Sequence, residues 1–199
     1  IKIGYWIHKP HHYLDASGKL RGATFTYFEA VAAKMGYTVE WVGPLPFIRL
    51  CNYMKDGLVD GMAHSTVLAG LQNFEYGGAK PYHGAQAIFV VRKENPLTQI
   101  RSIQDVAKYR VGWLAEVSPP PFVRDNLAHL QMDYLPPGDT MWEQSLTKLL
   151  GGRMDAIHEL NAYTLPFIAE EMHIADQIKV LPLPDPPTSV YVSFSRQSP

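Results

Sequence analysis

The apolar and polar positions of the chain alternate between the two-residue period of strands and the spacing of amphipathic helices. Strands are predicted at residues 1–6, 38–42, 59–63, 86–91, 109–113, 154–158, 178–183 and 190–194. Helices are predicted to begin near the capping or first-turn residues Thr24, Pro46, Ser102, Ser118, Thr140 and Asn161. The order is βαβαβ, a crossing strand and βαβαβ again, which predicts parallel sheets covered by helices.

Two such units in one chain predict an α/β protein with two lobes, a hinge and a cleft between the lobes. The first lobe is predicted to hold residues 1–88 and 188–199, and the second lobe residues 93–182. Residues 89–92 and 183–187 are predicted to be the hinge crossings. The second crossing is rich in proline, which favours a stiff, extended backbone.

Composition narrows the functional classes. Hydrophobic residues make up 46% and charged residues 19% of the 199 residues, as is typical of a soluble globular protein. The net charge of −1 indicates no basic surface for nucleic acid, and no apolar run approaches the ~20 residues that span a bilayer. Because Cys51 is the only cysteine, an intramolecular disulfide is excluded, and its helical spacing with Leu50 and Met54 predicts a buried, unreactive thiol.

Several short segments, taken in order, resemble one known family. They are Gly18-Lys-Leu-Arg-Gly22 ahead of the first helix, Lys55-Asp-Gly-Leu-Val-Asp-Gly61, Lys80-Pro-Tyr82 with Gln86, Ser102-Ile-Gln-Asp-Val106, and Gly152-Arg-Met-Asp-Ala156. Together they resemble the family 3 (amino-acid type) extracellular solute-binding proteins over nearly the whole chain. The resemblance implies the type II periplasmic-binding-protein fold and capture of a small molecule in the interlobe cleft. It also implies a periplasmic or extracellular monomer that works with an ABC permease or a receptor's signalling domain, without a cofactor and without catalysis.

The resemblance also implies where the ligand binds. His64, Ser65 and Thr66 follow the strand of Asp60, and ligands favour the carboxyl ends of strands in open α/β sheets. Ser118 is expected to lead into a helix whose free amides attract a polar or anionic group. For the aromatic and histidine positions, ordinary core packing or surface exposure is the alternative. The full set of candidate ligand-binding residues is Trp6, His12, Phe47, His64, Ser65, Thr66, Gln72, Tyr82, Glu116, Ser118, Glu159 and Asn161.

Two departures from the family pattern concern the ligand. Members that bind α-amino acids usually have an arginine about twelve residues after the aspartate that matches Asp60, but here the count reaches Gln72. A neutral amide cannot replace the charged, bidentate arginine fork on a carboxylate. The family's ammonium-binding aspartate would fall at Leu160, between Glu159 and Asn161. We therefore expect a small polar or aromatic-bearing ligand rather than a standard amino acid.

Two other functional classes remain open. Eight histidines are many for 199 residues, and five of them can converge on a metal ion, although their spacing matches no known ligand motif. These are His8, His11, His12, His64 and His83. A dehydratase-like enzyme on the same fold is the other alternative, with Glu116 or Glu159 beside a histidine as an acid/base pair. The Gly-x-Ser-x-Gly, phosphate-loop and dinucleotide motifs are all missing, which disfavours the common enzyme classes.

Overall fold

The computed structural model describes residues 1–66, 75–77, 80–114, 118–138 and 140–198. The strands are β1 (Lys2–Gly4), β2 (Tyr13–Leu14), β3 (Leu20–Arg21), β4 (Glu40–Val42), β5 (Gly61–Thr66), β6 (Glu75–Gly77), β7 (His83–Ala85), β8 (Ile88–Arg92), β9 (Arg110–Leu114), β10 (Gln131–Leu135), β11 (Ala156–Glu159), β12 (Ile178–Pro182) and β13 (Thr188–Ser195). The helices are α1 (Ala23–Lys34), α2 (Phe47–Lys55), α3 (Pro121–Arg124), α4 (Met141–Leu150) and α5 (Thr164–Glu171). Short 3-10 turns lie at Ile103–Asp105, Leu127–His129 and Ala175–Gln177.

The chain divides into two compact α/β units. The first unit holds Ile1–Gly84 and the segment that begins at Ser189, and the second holds Ala85–Thr188. The second unit is therefore an uninterrupted stretch of chain inserted into the first. This division moves residues 85–92 out of the predicted first lobe and hinge and into the second unit.

The sheet of the first unit has the strand order β4-β1-β5-β13-β6, with β7 paired to β13. Strands β4, β1 and β5 are parallel, whereas β13 is antiparallel to β5 and β6. Ile3, Phe28 and Ala63 form one apolar cluster, to which α1 contributes. Leu50, Met54, Val59 and Met62 form another, to which α2 contributes. Burial of these two clusters provides the main hydrophobic stabilisation of the unit.

The sheet of the second unit has the order β10-β9-β11-β8-β12. Strands β10, β9 and β11 are parallel, and β8 runs antiparallel to both β11 and β12. One apolar cluster includes Phe89, Val91 and Trp113, and another includes Ile88, Val90 and Ile157. The alternation of β8 side chains between these clusters follows from the two-residue period of a strand with both faces covered.

The predicted parallel strands are present in both sheets, but each sheet also has one antiparallel strand in its interior, β13 in the first and β8 in the second. Residues 89–92, predicted as a hinge crossing, belong to β8, and Phe89, Val90 and Val91 are fully buried. An apolar run of this length is stabilised by burial in a sheet rather than by an exposed connection. Residues 183–187, the other predicted crossing, follow β12 within the second unit.

Only some of the helix ends predicted from the sequence have the expected capping contacts. The backbone amide of Ser102 donates to the Asp105 carboxylate at 3.0 Å, which caps the short 3-10 turn near the helix start predicted at Ser102. Gly36 has a φ of +78° just after α1, the left-handed conformation that glycine adopts readily where a helix ends. Thr24 and Thr140, in contrast, make no side-chain cap. The helix predicted from Ser118 to Leu130 is wrong, since α3 has four residues and begins only at Pro121.

Candidate functional site

The loop after β1 folds back on itself and gathers three histidines. The His8 amide donates to the His12 carbonyl oxygen at 2.8 Å, and the His11 and His12 amides donate to the His8 carbonyl oxygen at 2.8 and 3.0 Å. These bonds satisfy the backbone of a tight turn and hold the three imidazoles close together. The loop was predicted to contribute to the site, with His12 among the candidate residues.

His64 on β5 and His83 on β7 complete a group of five imidazoles, which we call the histidine cluster (His8, His11, His12, His64 and His83). The His64 ring centroid lies 4.5 Å from that of His11 and 5.0 Å from that of His8. The His8 and His11 rings are stacked at 5.1 Å, and His83 lies 5.4 Å from His11. One ring nitrogen from each of His8, His11 and His64 lies within 4.8 Å of the others.

A chain of hydrogen bonds orients two of these rings. The Tyr82 hydroxyl donates to the Ala63 carbonyl oxygen at 2.9 Å, and His64 Nδ1 lies 3.0 Å from the same hydroxyl. Since the hydroxyl has one proton and gives it to the carbonyl, we assign the proton of this contact to His64 Nδ1. On the far side, Thr24 Oγ1 lies 3.4 Å from Tyr82 Oη and 3.1 Å from His11 Nδ1. Because the Tyr82 proton goes to the Ala63 carbonyl oxygen, Thr24 Oγ1 donates to Tyr82 Oη and accepts the hydrogen bond of His11 Nδ1. His11 and His64 therefore both have their ring proton on Nδ1 and their lone pair on Nε2.

Thr24 was predicted only as a helix cap, and its side chain instead links His11 to Tyr82. Nothing in the sequence signals this role, because a threonine at the start of a helix is most often a cap. The residue is 2% exposed, so its hydroxyl requires an internal partner.

An aromatic group lies against the histidine cluster. The Trp6 ring packs 4.7 Å from His12, 5.0 Å from Phe47 and 6.0 Å from His64, and Tyr82 packs 6.3 Å from His64. Five predicted ligand-binding residues of the first unit therefore lie together. The neighbouring Ser65 is buried on β5, and the backbone of Thr66 pairs with β13.

Burial lowers the pKa of four of the five histidines in the cluster. It lowers the pKa of His8 and His64 well below the usual range, and the neighbouring histidines lower both further. Burial lowers the pKa of His12 to about 4, although His12 Nδ1 donates to the Trp6 carbonyl oxygen at 2.5 Å. Burial also lowers the pKa of His83 and raises that of Tyr82 to about 12. Among the residues that the structure describes, His8 Nε2 and His12 Nε2 are buried polar atoms without a hydrogen-bond partner.

In the second unit, Glu159 and Asn161 lie where β11 ends. The Glu159 carboxyl oxygen accepts the backbone amide of Asn161 at 3.2 Å, and Asn161 Oδ1 accepts the amide of Tyr163 at 3.0 Å. Both side chains are buried. Burial raises the pKa of Glu159 to about 8, so this carboxyl is mostly protonated at pH 7 and can donate a hydrogen bond.

The predicted ligand-binding residue Ser118 does not lie at the start of a helix. Ser118 is exposed and lies before Pro119, outside α3. The first amide available in α3, that of Phe122, already donates to the Asp185 carboxylate at 3.0 and 3.2 Å. The predicted anion site at this helix is therefore wrong, because a side chain of the chain itself takes the donor. Gln72 and Glu116 lie outside the described residues.

His158 is a buried histidine that the sequence analysis did not consider as a candidate. Its ring stacks on Trp113 with centroids 3.9 Å apart, and Phe89 lies edge-on at 6.2 Å. Burial lowers the pKa of His158 to about 3, and its Nε2 is without a partner among the described residues. It lies within the strand β11 rather than at its end, so we interpret it as a core residue.

Two α/β units with polar side chains at strand ends are typical of two-lobed binding proteins. The sequence model of the bacterial extracellular solute-binding proteins, family 3, matches residues 1–164, and the chain belongs to this family. The family and its solved neighbours are binding proteins rather than enzymes. Among the described residues, none of the helices has the length and apolarity needed to cross a membrane.

Individual relatives agree with this assignment. The chain is 31% identical over 90 residues to the Bacillus subtilis (strain 168) protein named "Probable amino-acid-binding protein YxeM", covering 45% of this chain and 33% of YxeM. The match thus spans about a third of that relative. The BvgS periplasmic VFT2 domain of Bordetella pertussis superposes with a TM-score of 0.76 at 13% identity, covering 98% of this chain and 80% of that domain.

Two further solved structures are similar. An ancestral arginine-binding protein bound to glutamine gives a TM-score of 0.73 at 22% identity, covering 98% of this chain and 83% of that one. The second substrate-binding domain of GlnP from Lactococcus lactis gives 0.69 at 14% identity, covering 100% of this chain and 82% of that one. These likenesses show the fold, which is the type II periplasmic-binding-protein or Venus flytrap fold predicted from the sequence.

Proposed function

We propose that this chain captures a small polar or aromatic-bearing solute outside the cytoplasm, for an ABC importer or for a sensor receptor. The observation that carries the proposal is the grouping of Trp6, Phe47, His64 and Tyr82 in the first unit of a family 3 solute-binding fold. Aromatic walls with a few placed polar groups are the usual lining of a small-molecule site. The periplasmic or extracellular location follows the family and remains part of the proposal.

In the proposed mechanism, the ligand binds between the two units and a hinge closes them over it. The Trp6 and Phe47 rings provide apolar contact, and Ser65 provides a polar contact near the end of β5, where the predicted site residue Thr66 follows it. From the second unit, the protonated Glu159 donates a hydrogen bond, with Asn161 beside it. Closure excludes water, so each of these groups needs a partner on the ligand or a trapped water molecule.

A neutral Glu159 affects the choice of ligand. An ammonium group gains most from an ionised carboxylate, and burial disfavours that form here. The segment 65–74 also lacks the arginine that forks onto a ligand carboxylate. Both features favour a ligand without the amino-acid zwitterion. The names of YxeM and of the ancestral arginine-binding protein give no support to the exclusion of standard amino acids. That exclusion rests on the residues of this chain.

The test is a ligand screen by thermal shift, followed by calorimetry on each hit in EDTA-containing buffer. A ligand at a hundredfold excess over its Kd adds about 2.7 kcal/mol of apparent stability, which such a screen detects readily. Phe47→Leu in the first unit and Glu159→Ala in the second are each expected to weaken the same ligand about tenfold. Lys34→Ala on the exposed side of α1 is the matched control and is expected to leave Kd unchanged.

Two outcomes would contradict the proposal. Loss of affinity confined to variants of one unit would contradict capture between the two. Micromolar binding of free glutamate, histidine or arginine would contradict the exclusion of standard amino acids.

A further inference from the structure

We propose that His8, His11 and His64 bind one divalent transition-metal ion of the Zn²⁺ type within the first unit. Imidazole nitrogen is a preferred ligand of Zn²⁺, Cu²⁺ and Ni²⁺, and these three side chains offer three ligand nitrogens. The site shares His64 and Tyr82 with the proposed solute site, but it needs only residues of the first unit, so metal binding can be tested without a solute.

The distances suit a site that is open before the ion binds. The three ring nitrogens lie within 4.8 Å of one another. A tetrahedral Zn²⁺ with bonds of about 2.0–2.1 Å places its ligand nitrogens roughly 3.3 Å apart. Each ring therefore moves inward by about 1 Å, a shift that rotation of the imidazoles about their side-chain bonds provides. His8 and His11 belong to a loop, and His64 on β5 is the fixed ligand.

The hydrogen bonds around the rings match those of ligating histidines. A metal-bound imidazole usually donates its second nitrogen to a neighbouring oxygen, which fixes the tautomer and aims the free lone pair at the ion. His64 Nδ1 is bonded to Tyr82, and His11 Nδ1 to Thr24, at 3.0 and 3.1 Å. The chain ends on the Ala63 carbonyl oxygen, which belongs to the same strand as His64. Both rings therefore present Nε2 as the ligand atom.

Ordinary aromatic packing does not explain these residues. A phenylalanine or leucine would fill the same space without placing ring nitrogens in a shielded interior. His8 Nε2 is buried and has no partner among the described residues, which is costly unless a ligand satisfies it.

His83 completes the coordination. Its ring lies 5.4 Å from His11 and 6.4 Å from His64, and it is half-buried at the rim of the cluster. His12 is not one of the three histidines whose ring nitrogens lie within 4.8 Å of one another, and its ring packs on Trp6. With His8, His11 and His64 inside and His83 at the rim, the site can offer four nitrogen ligands to the ion.

The experiment uses tag-free protein, stripped with EDTA, dialysed, and titrated with Zn²⁺ against a chromophoric chelator. We expect one equivalent of Zn²⁺ per chain, and a loss of affinity of about a hundredfold in each of His8→Ala, His11→Ala and His64→Ala. His83→Ala is expected to lose about tenfold. His129→Ala, at an exposed histidine outside the cluster, is the matched control and is expected to bind as the wild type does.

Two further measurements guard against variants that merely fail to fold. Tyr82→Phe keeps the ring and removes only the hydroxyl that orients His64, and we expect a loss of ten- to a hundredfold with an unchanged circular dichroism spectrum. Co²⁺ bound to the wild type should give the strong visible absorption of a four-coordinate site. Absence of saturable Zn²⁺ binding would overturn the proposal, as would a His129→Ala effect equal to that of His64→Ala or an unaltered titration of folded Tyr82→Phe.

Discussion

The Tyr82 hydroxyl lies 2.9 Å from the Ala63 carbonyl oxygen and 3.0 Å from Nδ1 of His64, so one side chain contacts two consecutive residues of β5. Its single proton goes to the carbonyl oxygen, which makes the imidazole the donor of the second bond. The position of one hydroxyl hydrogen therefore determines which nitrogen of His64 is available to a ligand.

The tautomer of His64 is the first prediction. Long-range ¹H–¹⁵N spectra of the metal-free protein should show His64 protonated on Nδ1 and unprotonated on Nε2. In Tyr82→Phe the acceptor is gone, and the proton should move to Nε2, the form that free imidazole side chains prefer. The exposed His129 supplies the reference signal, and an Nε2-protonated His64 in the wild type would contradict the assigned hydrogen bond.

The second prediction concerns Gly22, which has a φ of +128° just before α1. A Cβ added there would lie 2.1 Å from the His11 carbonyl oxygen, so Gly22→Ala must displace the histidine loop. We expect a loss of at least about 2 kcal/mol in the free energy of unfolding, together with weaker Zn²⁺ binding.

Gly18→Ala is its control. Gly18 also has a positive φ, of +77°, but an added Cβ meets no atom within 4 Å. Gly18→Ala should lower the free energy of unfolding by about 1 kcal/mol, because of the backbone conformation alone, and should leave the Zn²⁺ affinity unchanged. Denaturant titrations of both variants measure the difference, and equal losses would show that contact with the loop is unimportant.

Glu159 leads to a third prediction, on pH. Its folded pKa of about 8 lies above the unfolded value of 4.5, so its contribution to stability is fully present below pH 4.5 and is lost as the pH rises through 8. Glu159→Gln replaces the titratable carboxyl with an amide that does not ionise. The wild type should therefore lose stability relative to the variant between pH 4.5 and 8, with a slope of at most about 1.4 kcal/mol per pH unit. A flat difference curve, measured by urea unfolding, would show that Glu159 is ionised.

His158 gives the opposite sign in the fourth prediction. Its folded pKa of about 3 lies below the unfolded value of 6.5, so the unfolded chain takes up a proton first as the pH falls. Stability should be lost progressively from pH 6.5 towards pH 3, and His158→Phe should lose less over that window. The phenyl ring keeps the contact with Trp113 and cannot be protonated.

The sequence predicted the α/β class, the family and most strands, because each rests on short-range patterns. The buried run that forms β8 was recognised as a strand, yet its direction and its place in the sheet depend on partners far along the chain. The short strand β10 was missed, since Gln131–Leu135 is mostly exposed and lacks a buried apolar pattern. Regular hydrophobic spacing therefore predicts elements better than it predicts their pairing.

The candidate site shows the same division. Trp6, His12, Phe47, His64 and Tyr82 were all named from the sequence, and all lie together in the first unit. The link that Thr24 makes between His11 and Tyr82 was not predictable, because it depends on the direction in which the Thr24 hydroxyl points at the start of α1. The predicted anion site at Ser118 also depends on a distant residue. Asp185 lies 67 positions after Ser118, and its carboxylate accepts the Phe122 amide at the start of α3.

The insertion of the second unit into the first affects the order in which the chain can fold. Strand β13 lies between β5 and β6 in its sheet but follows them only after the whole of Ala85–Thr188. As the ribosome releases the chain, the second unit is complete in sequence before β13 emerges, so it can fold first while the first sheet still lacks an interior strand. Pairing over such a separation closes a long loop and is intrinsically slow. His64, whose strand is the neighbour of β13, thus reaches its final environment only after β13 has been synthesised.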